Sequence, residues 1–156
     1  MAIQVGDKIP TMTLKGTDMQ DVTTDELFAG KVVLFAVPGA FTPTCSAKHL
    51  PGFVEKAAEI KAKGVDRIVG LSVNDAFVMA AWGKAHGTGD DVTLVADGNG
   101  EFSRAVGLDF DGSKFGMGLR SQRYAAVIED GVVKHLAVEA PMQFEVSSAE
   151  AILAAL

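Results

Sequence analysis

Residues 31–45 read KVVLFAVPGAFTPTC and contain the strongest fold signal in the chain. The first seven residues are almost all apolar, are rich in β-branched side chains and stop at a Pro-Gly pair. This pattern predicts a strand that is buried on both faces. Apolar residues at helical spacing then predict a helix over residues 44–63, with a kink at Pro51. A buried strand that leads through a loop into a helix is typical of α/β sheets.

Strand and helix patterns alternate along the rest of the chain. Beyond the first pair, the sequence predicts a strand at 67–73, a helix at 75–86, a strand at 92–96 and a short helix at 101–106. Asp130 and Gly131 then separate two apolar runs, at 124–129 and 132–138. Two residues of this type between apolar runs are a strong β-hairpin signal.

The last element predicted is a terminal helix. Ser147, with Glu150 three residues later, matches the capping box that opens many helices. The complete order predicts one domain over residues 1–156, with a central mixed β-sheet flanked by helices on both faces. The sheet should be parallel in its first half and antiparallel at the hairpin. A thioredoxin-like arrangement fits this order, although periodicity alone does not select it among α/β folds.

Composition limits the partners of the chain. Its 156 residues carry a net charge of -6, which argues against nucleic acid or an anionic membrane surface as the main partner. The apolar runs are too short to cross a bilayer. The first residues lack the basic segment and apolar core of a secretory signal, so we expect a cytoplasmic location.

Cys45 is the single cysteine of the chain. It cannot form an intramolecular disulfide, which fits a reducing compartment. Its predicted place in the first turn of a helix exposes it to free backbone N–H groups that favour a negative charge. A thiolate at such a place is a reactive nucleophile. Position alone leaves open the alternative that Cys45 is a small buried hydrophobic residue.

The spacing of Pro38, Thr42 and Cys45 resembles the Pro-x-x-x-Thr-x-x-Cys signature of the peroxiredoxins. The similarity is to the peroxiredoxin-five subfamily, also called type II, in its one-cysteine form, and it covers essentially the whole chain. The segments that carry it are residues 37–46, 49–53, 71–79 with Trp82, 119–124 and 129–133.

This resemblance implies a thioredoxin-like thiol peroxidase in which Cys45 attacks a hydroperoxide and becomes a sulfenic acid. Thr42 and Arg123 would donate hydrogen bonds to the sulfur and the peroxide, and Pro38 would shield the site. Each role has an alternative, since Thr42 could be a loop or cap residue and Arg123 a solvated charge at a strand edge. Arg120, three residues away, competes for the same role; the family pattern prefers Arg123, but the sequence does not exclude Arg120.

His49 follows Cys45 by four residues and therefore lies on the same helix face. It could tune the thiolate or bind a substrate, although a lone histidine is more often structural. The histidines do not have the spacing of a metal site. We therefore expect neither a metal nor a cofactor.

The absence of a second cysteine determines how a peroxidase cycle would close. The sulfenic acid at Cys45 must meet a thiol from another molecule, and resemblance favours glutathione, with or without glutaredoxin, over thioredoxin. The resemblance also implies a homodimer with Phe77, Val78 and Trp82 near the contact. Core packing is the alternative for these three residues.

Other functions of a reactive cysteine compete with the peroxidase. A cysteine hydrolase would need a paired histidine, for which His49 is the only nearby candidate, and a Gly-x-Cys-x-Gly elbow is absent. A disulfide reductase would need Cys-x-x-Cys, which the sequence lacks. A non-enzymatic peroxide or redox sensor could use the same thiolate.

Overall fold

The structure is a computed structural model that describes residues 2–156. The strands are β1 (Thr13–Gly16), β2 (Asp21–Thr23), β3 (Lys31–Val37), β4 (Arg67–Ser72), β5 (Thr93–Ala96), β6 (Asp109–Asp111), β7 (Leu119–Ser121), β8 (Tyr124–Glu129) and β9 (Val132–Val138). The α-helices are α1 (Thr24–Leu27), α2 (Leu50–Ala62), α3 (Ala76–His86), α4 (Glu101–Ala105) and α5 (Ala149–Ala155). A π-helical turn, Cys45–His49, leads into α2, and a short 3₁₀ turn, Ser113–Phe115, follows β6.

Seven strands form one mixed sheet in the order β2-β1-β5-β4-β3-β8-β9. β3, β4 and β5 are parallel neighbours, whereas β8 pairs antiparallel with both β3 and β9. The predicted mixed, thioredoxin-like sheet is therefore confirmed. β3 occupies an interior place, and every residue of it after Lys31 is buried, which explains why its sequence shows no polar alternation.

The sheet separates two hydrophobic cores. Side chains alternate across a strand, so odd-numbered residues of β3 such as Phe35 enter one core and even-numbered residues such as Leu34 enter the other. Helices α2, α3 and α5 cover the first core, and α1 and α4 supply residues to the second. Cys45 belongs to the first core.

The β8-β9 hairpin forms as predicted. Asp130 and Gly131 both have positive φ values, 47° and 81°, which a tight two-residue turn of this kind requires. Its register pairs Tyr124 with Val138. The end of the hairpin opposite the turn therefore lies beside the residues that follow β3, since Tyr124 also pairs with Ala36.

The predicted capping box at the last helix is wrong. Ser148, not Ser147, is the N-cap of α5, and its side chain accepts a hydrogen bond from the backbone N–H of Ala151. The hydroxyl of Ser147 instead donates to the carboxylate of Glu139. The sequence pattern was misleading because a long-range partner uses the hydroxyl that the local motif would need.

Four short strands were not predicted. β1 and β2 extend the sheet on one edge, and β6 and β7 form a separate two-stranded sheet. These strands have only three or four residues each, too few for a clear period-two pattern. Within residues 2–156, no helix has both the length and the apolar character needed to span a membrane.

Candidate active site

Cys45 opens the π-helical turn that follows β3. The turn is closed by a hydrogen bond from the backbone N–H of Leu50 to the carbonyl of Cys45. Pro51, predicted to kink the helix, follows directly and cannot donate a backbone hydrogen bond, so the irregularity takes the form of this widened turn. The side chain of Cys45 is completely buried beside the carboxyl ends of the parallel strands, where reactive groups collect in α/β sheets.

Arg123 is distant from Cys45 in the chain, but the fold brings the two residues together. Arg123 immediately precedes β8, and the antiparallel register places Tyr124 opposite Ala36, near the end of β3. The Nη2 atom of Arg123 lies 3.0 Å from Sγ of Cys45. The guanidinium charge is therefore in hydrogen-bond contact with the sulfur, where it can stabilise negative charge that develops during a reaction.

His49 bridges Arg123 to the backbone. Its Nε2 lies 2.9 Å from the carbonyl oxygen of Ser147 and its Nδ1 lies 2.8 Å from Nη1 of Arg123. A carbonyl only accepts and a guanidinium only donates, so the ring carries its hydrogen on Nε2 and accepts at Nδ1. Burial, reinforced by the charge of Arg123, lowers the pKa of His49 to about 3. The ring is neutral, and both of its nitrogens are occupied by protein groups.

Thr42 and Pro38 lie in the loop between β3 and the π-helical turn. The Thr42 hydroxyl donates to the carbonyl of Gly39 at 2.6 Å, which leaves its oxygen lone pairs available as acceptors. Gly39 lies close to this side chain, because a Cβ at Gly39 would lie 3.0 Å from Cγ2 of Thr42 and one of the two would have to shift slightly. Pro38 is half-buried directly after β3. The loop thus presents an acceptor, rather than a donor, at Thr42.

Arg120, the competitor of Arg123, makes different contacts. Its Nε donates to the carbonyl of Met117 at 2.9 Å and its Nη1 donates to the carbonyl of Val73 at 2.8 Å. These bonds connect β7 and the preceding turn to the end of β4. The hydrogen bonds described for Arg120 go to backbone carbonyls, whereas those of Arg123 go to Cys45 and His49.

Trp82 was predicted to lie near a dimer contact, but its side chain is completely buried and cannot form a surface contact. Its Nε1 donates to Oγ of Ser46 at 2.9 Å, so α3 holds the residue next to Cys45. Phe77, in the same helix, is 69% exposed, and Val78 is half-buried. The helix periodicity of α3 explains this division, since Met79 and Trp82 lie on its core face.

Sequence reasoning also missed an aromatic side chain at the site. The ring of Phe144 lies 5.8 Å from Cζ of Arg123 and packs edge-on against His49, with ring centroids 5.0 Å apart. A guanidinium near an aromatic face gains a cation–π attraction. Nothing in the sequence indicates this contact, because Phe144 lies in a loop without periodicity.

Comparison with known proteins identifies the family. The family model described as Redoxin matches residues 4–153. The chain is 58% identical over 163 residues to peroxiredoxin-2E-2, chloroplastic, of Oryza sativa subsp. japonica, an alignment that covers 99% of this chain and 72% of the rice protein. It is 50% identical to peroxiredoxin-2B of Arabidopsis thaliana, covering 99% of this chain and 98% of that one. The chain belongs to the peroxiredoxin family, type II.

A solved structure agrees with this assignment. The structure of reduced Prx3 in complex with H2O2 from Vibrio vulnificus is 56% identical, with a TM-score of 0.94, and the match covers 99% of both chains. The peroxiredoxin described here is therefore an antioxidant thiol peroxidase of thioredoxin-like fold. Its peroxidatic residue is Cys45, the single cysteine, with Arg123 beside it.

Proposed function

We propose that this peroxiredoxin reduces hydrogen peroxide and alkyl hydroperoxides at Cys45 and that glutathione, together with glutaredoxin, closes its cycle. The observation that carries the proposal is the 3.0 Å contact between Arg123 and the sulfur in a chain with one cysteine. The contact supports the first half of the cycle, and the single cysteine supports an external thiol in the second half. Thioredoxin is the second candidate reductant.

Peroxide reduction begins with the Cys45 thiolate. The sulfur attacks one peroxide oxygen, an S–O bond forms, the O–O bond breaks, and the leaving oxygen departs with the bonding electrons and takes up a proton as water or an alcohol. Negative charge moves from the sulfur to the leaving oxygen. The fixed positive charge of Arg123 stabilises both ends of this movement, because its fork of donors is already in place before reaction.

Thr42 orients the peroxide in this scheme. Its hydroxyl hydrogen is used by Gly39, so its oxygen accepts a hydrogen bond from the O–H of the substrate. That bond distinguishes a hydroperoxide from a disulfide, which has no O–H group to donate. Pro38 shields the loop from solvent, and His49 acts by holding Arg123 rather than by contacting the substrate.

The second half of the cycle restores the thiol. A glutathione thiolate attacks the sulfenic sulfur, an S–S bond forms, the S–O bond breaks, and the leaving hydroxide takes up a proton as water, which leaves a mixed disulfide on Cys45. A second thiol, from glutaredoxin or glutathione, attacks the glutathione sulfur of that disulfide and frees Cys45. Because Cys45 is completely buried, the π-helical turn must open before a tripeptide thiol reaches the sulfur.

Two further features belong to this proposal. The working unit is a homodimer of the single domain, with Phe77 and Val78 near the contact, because Phe77 presents a large exposed aromatic surface at the start of α3. The proposed location is cytoplasmic, and a chain whose single cysteine cannot form an intramolecular disulfide fits such a reducing compartment. Size-exclusion chromatography of wild type and Phe77→Glu tests the dimer, which the charge should dissociate.

One experiment tests the cycle. Reduced protein is mixed with hydrogen peroxide in a stopped-flow instrument, and sulfenic acid formation and peroxide loss are followed together, with Cys45→Ser as control. We expect stoichiometric oxidation in the absence of thiol and turnover when glutathione and glutaredoxin are added. Oxidation as slow as that of free cysteine would contradict the proposed site roles. Turnover with thioredoxin alone would show that thioredoxin, rather than glutathione with glutaredoxin, is the reductant.

A further inference from the structure

Glu139 is a buried residue that directly follows β9, and its carboxylate accepts several hydrogen bonds. Its Oε2 accepts hydrogen bonds from the backbone N–H groups of Glu145, Val146 and Ser147, at 2.7, 2.9 and 2.9 Å, and from the Ser147 hydroxyl at 2.7 Å. Although burial acts to raise it, the hydrogen bonds from Ser147, Glu145 and Val146 hold the pKa of Glu139 below its usual value. One charged oxygen thus fixes three consecutive amide groups of the loop before α5.

The loop that Glu139 fixes contacts the active site twice. The carbonyl of Ser147 binds Nε2 of His49, and the ring of Phe144 packs against both His49 and Arg123. Glu139 also approaches the site through its backbone, whose N–H donates to the carbonyl of Arg123 at 3.0 Å. The carboxylate is therefore connected to the reactive sulfur through Ser147, His49 and Arg123 in turn.

The direction of each hydrogen bond in this series depends on the one before it. If the carbonyl of Ser147 turned away, the ring hydrogen of His49 would lose its acceptor, and Arg123 alone would hold that hydrogen on Nε2. A hydrogen on Nδ1 would face the donors of Arg123 and repel them. The guanidinium would then lose the acceptor that keeps its other nitrogen on Cys45.

We propose that Glu139 is a positioning residue for peroxide reduction, which holds the loop of residues 144–147 so that His49 stays an acceptor toward Arg123. The proposal rests on the role given above to Arg123 in the attack of Cys45. It adds a residue that contacts neither the peroxide nor the sulfur. Its effect should appear in the rate of sulfenic acid formation rather than in the thiol-dependent step.

Asp97 is a matched control elsewhere in the chain. Its buried carboxylate accepts hydrogen bonds from the backbone N–H groups of Phe102 and Ser103 and from the Ser103 hydroxyl, at 3.1, 2.9 and 2.8 Å. It therefore resembles Glu139 in burial and in the type of its partners. However, it fixes the start of α4, which supplies Phe102 to the opposite core.

The experiment compares Glu139→Ala and Glu139→Gln with Asp97→Ala and Asp97→Asn, together with Arg123→Ala. Sulfenic acid formation is measured with hydrogen peroxide under conditions where circular dichroism shows folded protein. We expect Glu139→Ala to slow it by roughly 10- to 100-fold through misplacement of the guanidinium. Glu139→Gln should slow it less, because an amide oxygen can still accept, and the Asp97 variants should leave it unchanged.

A spectroscopic readout separates positioning from loss of stability. The ring ¹⁵N signals of His49 in the wild type should show one neutral tautomer with its hydrogen on Nε2, and the Glu139 variants should show a mixture. If Glu139→Ala does not fold, two milder variants replace it. These are Glu139→Gln and Ser147→Ala, the second of which removes only one of the four hydrogen bonds. The rate of sulfenic acid formation and the His49 ¹⁵N signals are then measured in both.

Two results would overturn the inference. The first is that the folded Glu139 variants form sulfenic acid at the wild-type rate and keep the wild-type tautomer of His49. The second is that the Asp97 variants slow sulfenic acid formation as much as the Glu139 variants do. If Arg123→Ala slows the attack while the Glu139 variants do not, only the inference fails. If Arg123→Ala itself leaves the rate unchanged, the proposed role of the arginine fails as well.

Discussion

Arg120 and Arg123 are three residues apart in the chain, yet their guanidinium groups have different surroundings. Arg120 donates to the carbonyls of Met117 and Val73, so its charge connects backbone segments. Arg123 donates to a sulfur and to a histidine nitrogen, both of which are buried side-chain atoms. The same residue type therefore binds backbone carbonyls at one position and contacts the peroxidatic sulfur at the other, and the difference lies in the acceptors.

The largest effect should come from Arg123→Ala. Removal of a preorganised charged donor from a developing charge costs about 10²- to 10³-fold in rate. We therefore expect sulfenic acid formation at Cys45 to slow by that order, measured by stopped-flow kinetics with hydrogen peroxide. Arg120→Ala is the matched control, and an equal slowing in both variants would remove the distinction between the two arginines.

The next largest effect is a loss of stability at acidic pH, caused by His49, the hydrogen-bond partner of Arg123. Burial and the charge of Arg123 lower the pKa of His49 to about 3 from a reference of 6.5, so between these values the unfolded chain binds a proton that the folded chain does not. The contribution of His49 to the free energy of unfolding is fully present above pH 6.5 and is lost progressively as the pH decreases toward 3. From pH 7.5 to 5 this group should cost about 2 kcal/mol of unfolding free energy.

Urea unfolding at several pH values measures this loss. The control is His49→Gln, which cannot titrate, and its unfolding free energy should fall by about 2 kcal/mol less than that of the wild type over the same interval. Parallel curves for the two proteins would show that His49 is not the group responsible. Arg120→Ala should retain the acid sensitivity of the wild type, because His49 is intact in that variant.

A smaller effect is expected from Arg120→Ala on stability. The variant leaves the carbonyls of Met117 and Val73 without their charged donor, which should lower the unfolding free energy by about 1–3 kcal/mol. Urea unfolding at pH 7.5 measures the change. A loss of peroxide reactivity without a loss of stability would assign Arg120 to the chemistry instead.

The smallest effect should follow Ser46→Ala. This change removes the acceptor of the Trp82 indole N–H and should cost about 1 kcal/mol, so the π-helical turn opens more easily. We expect the reduction of sulfenic acid by glutathione to become a few-fold faster, while the attack on peroxide, which needs the closed turn, does not accelerate. An unchanged reduction rate would mean that opening of this turn does not limit access to Cys45.

The fold was largely predictable because its interior strands have strong patterns. β3 and β4 are continuous apolar runs, and Asp130 with Gly131 allows only a tight turn, so local chemistry indicated both the parallel and the antiparallel part of the sheet. The edge strands β1 and β2 escaped prediction because they are short and partly exposed. The cap of α5 was predicted at the wrong serine, since the competition for Ser147 comes from Glu139.

The sequence by itself determined that Cys45 follows a buried strand at the start of a helix, that no second cysteine can resolve it, and that the motif around it is that of a peroxiredoxin. Only the tertiary structure decided which arginine meets the sulfur. It also revealed that His49 is a neutral bridge and that Trp82 is buried. The physical reason is that these properties depend on acceptors supplied by segments distant in the chain, and the antiparallel register of β3 and β8 brings those segments together.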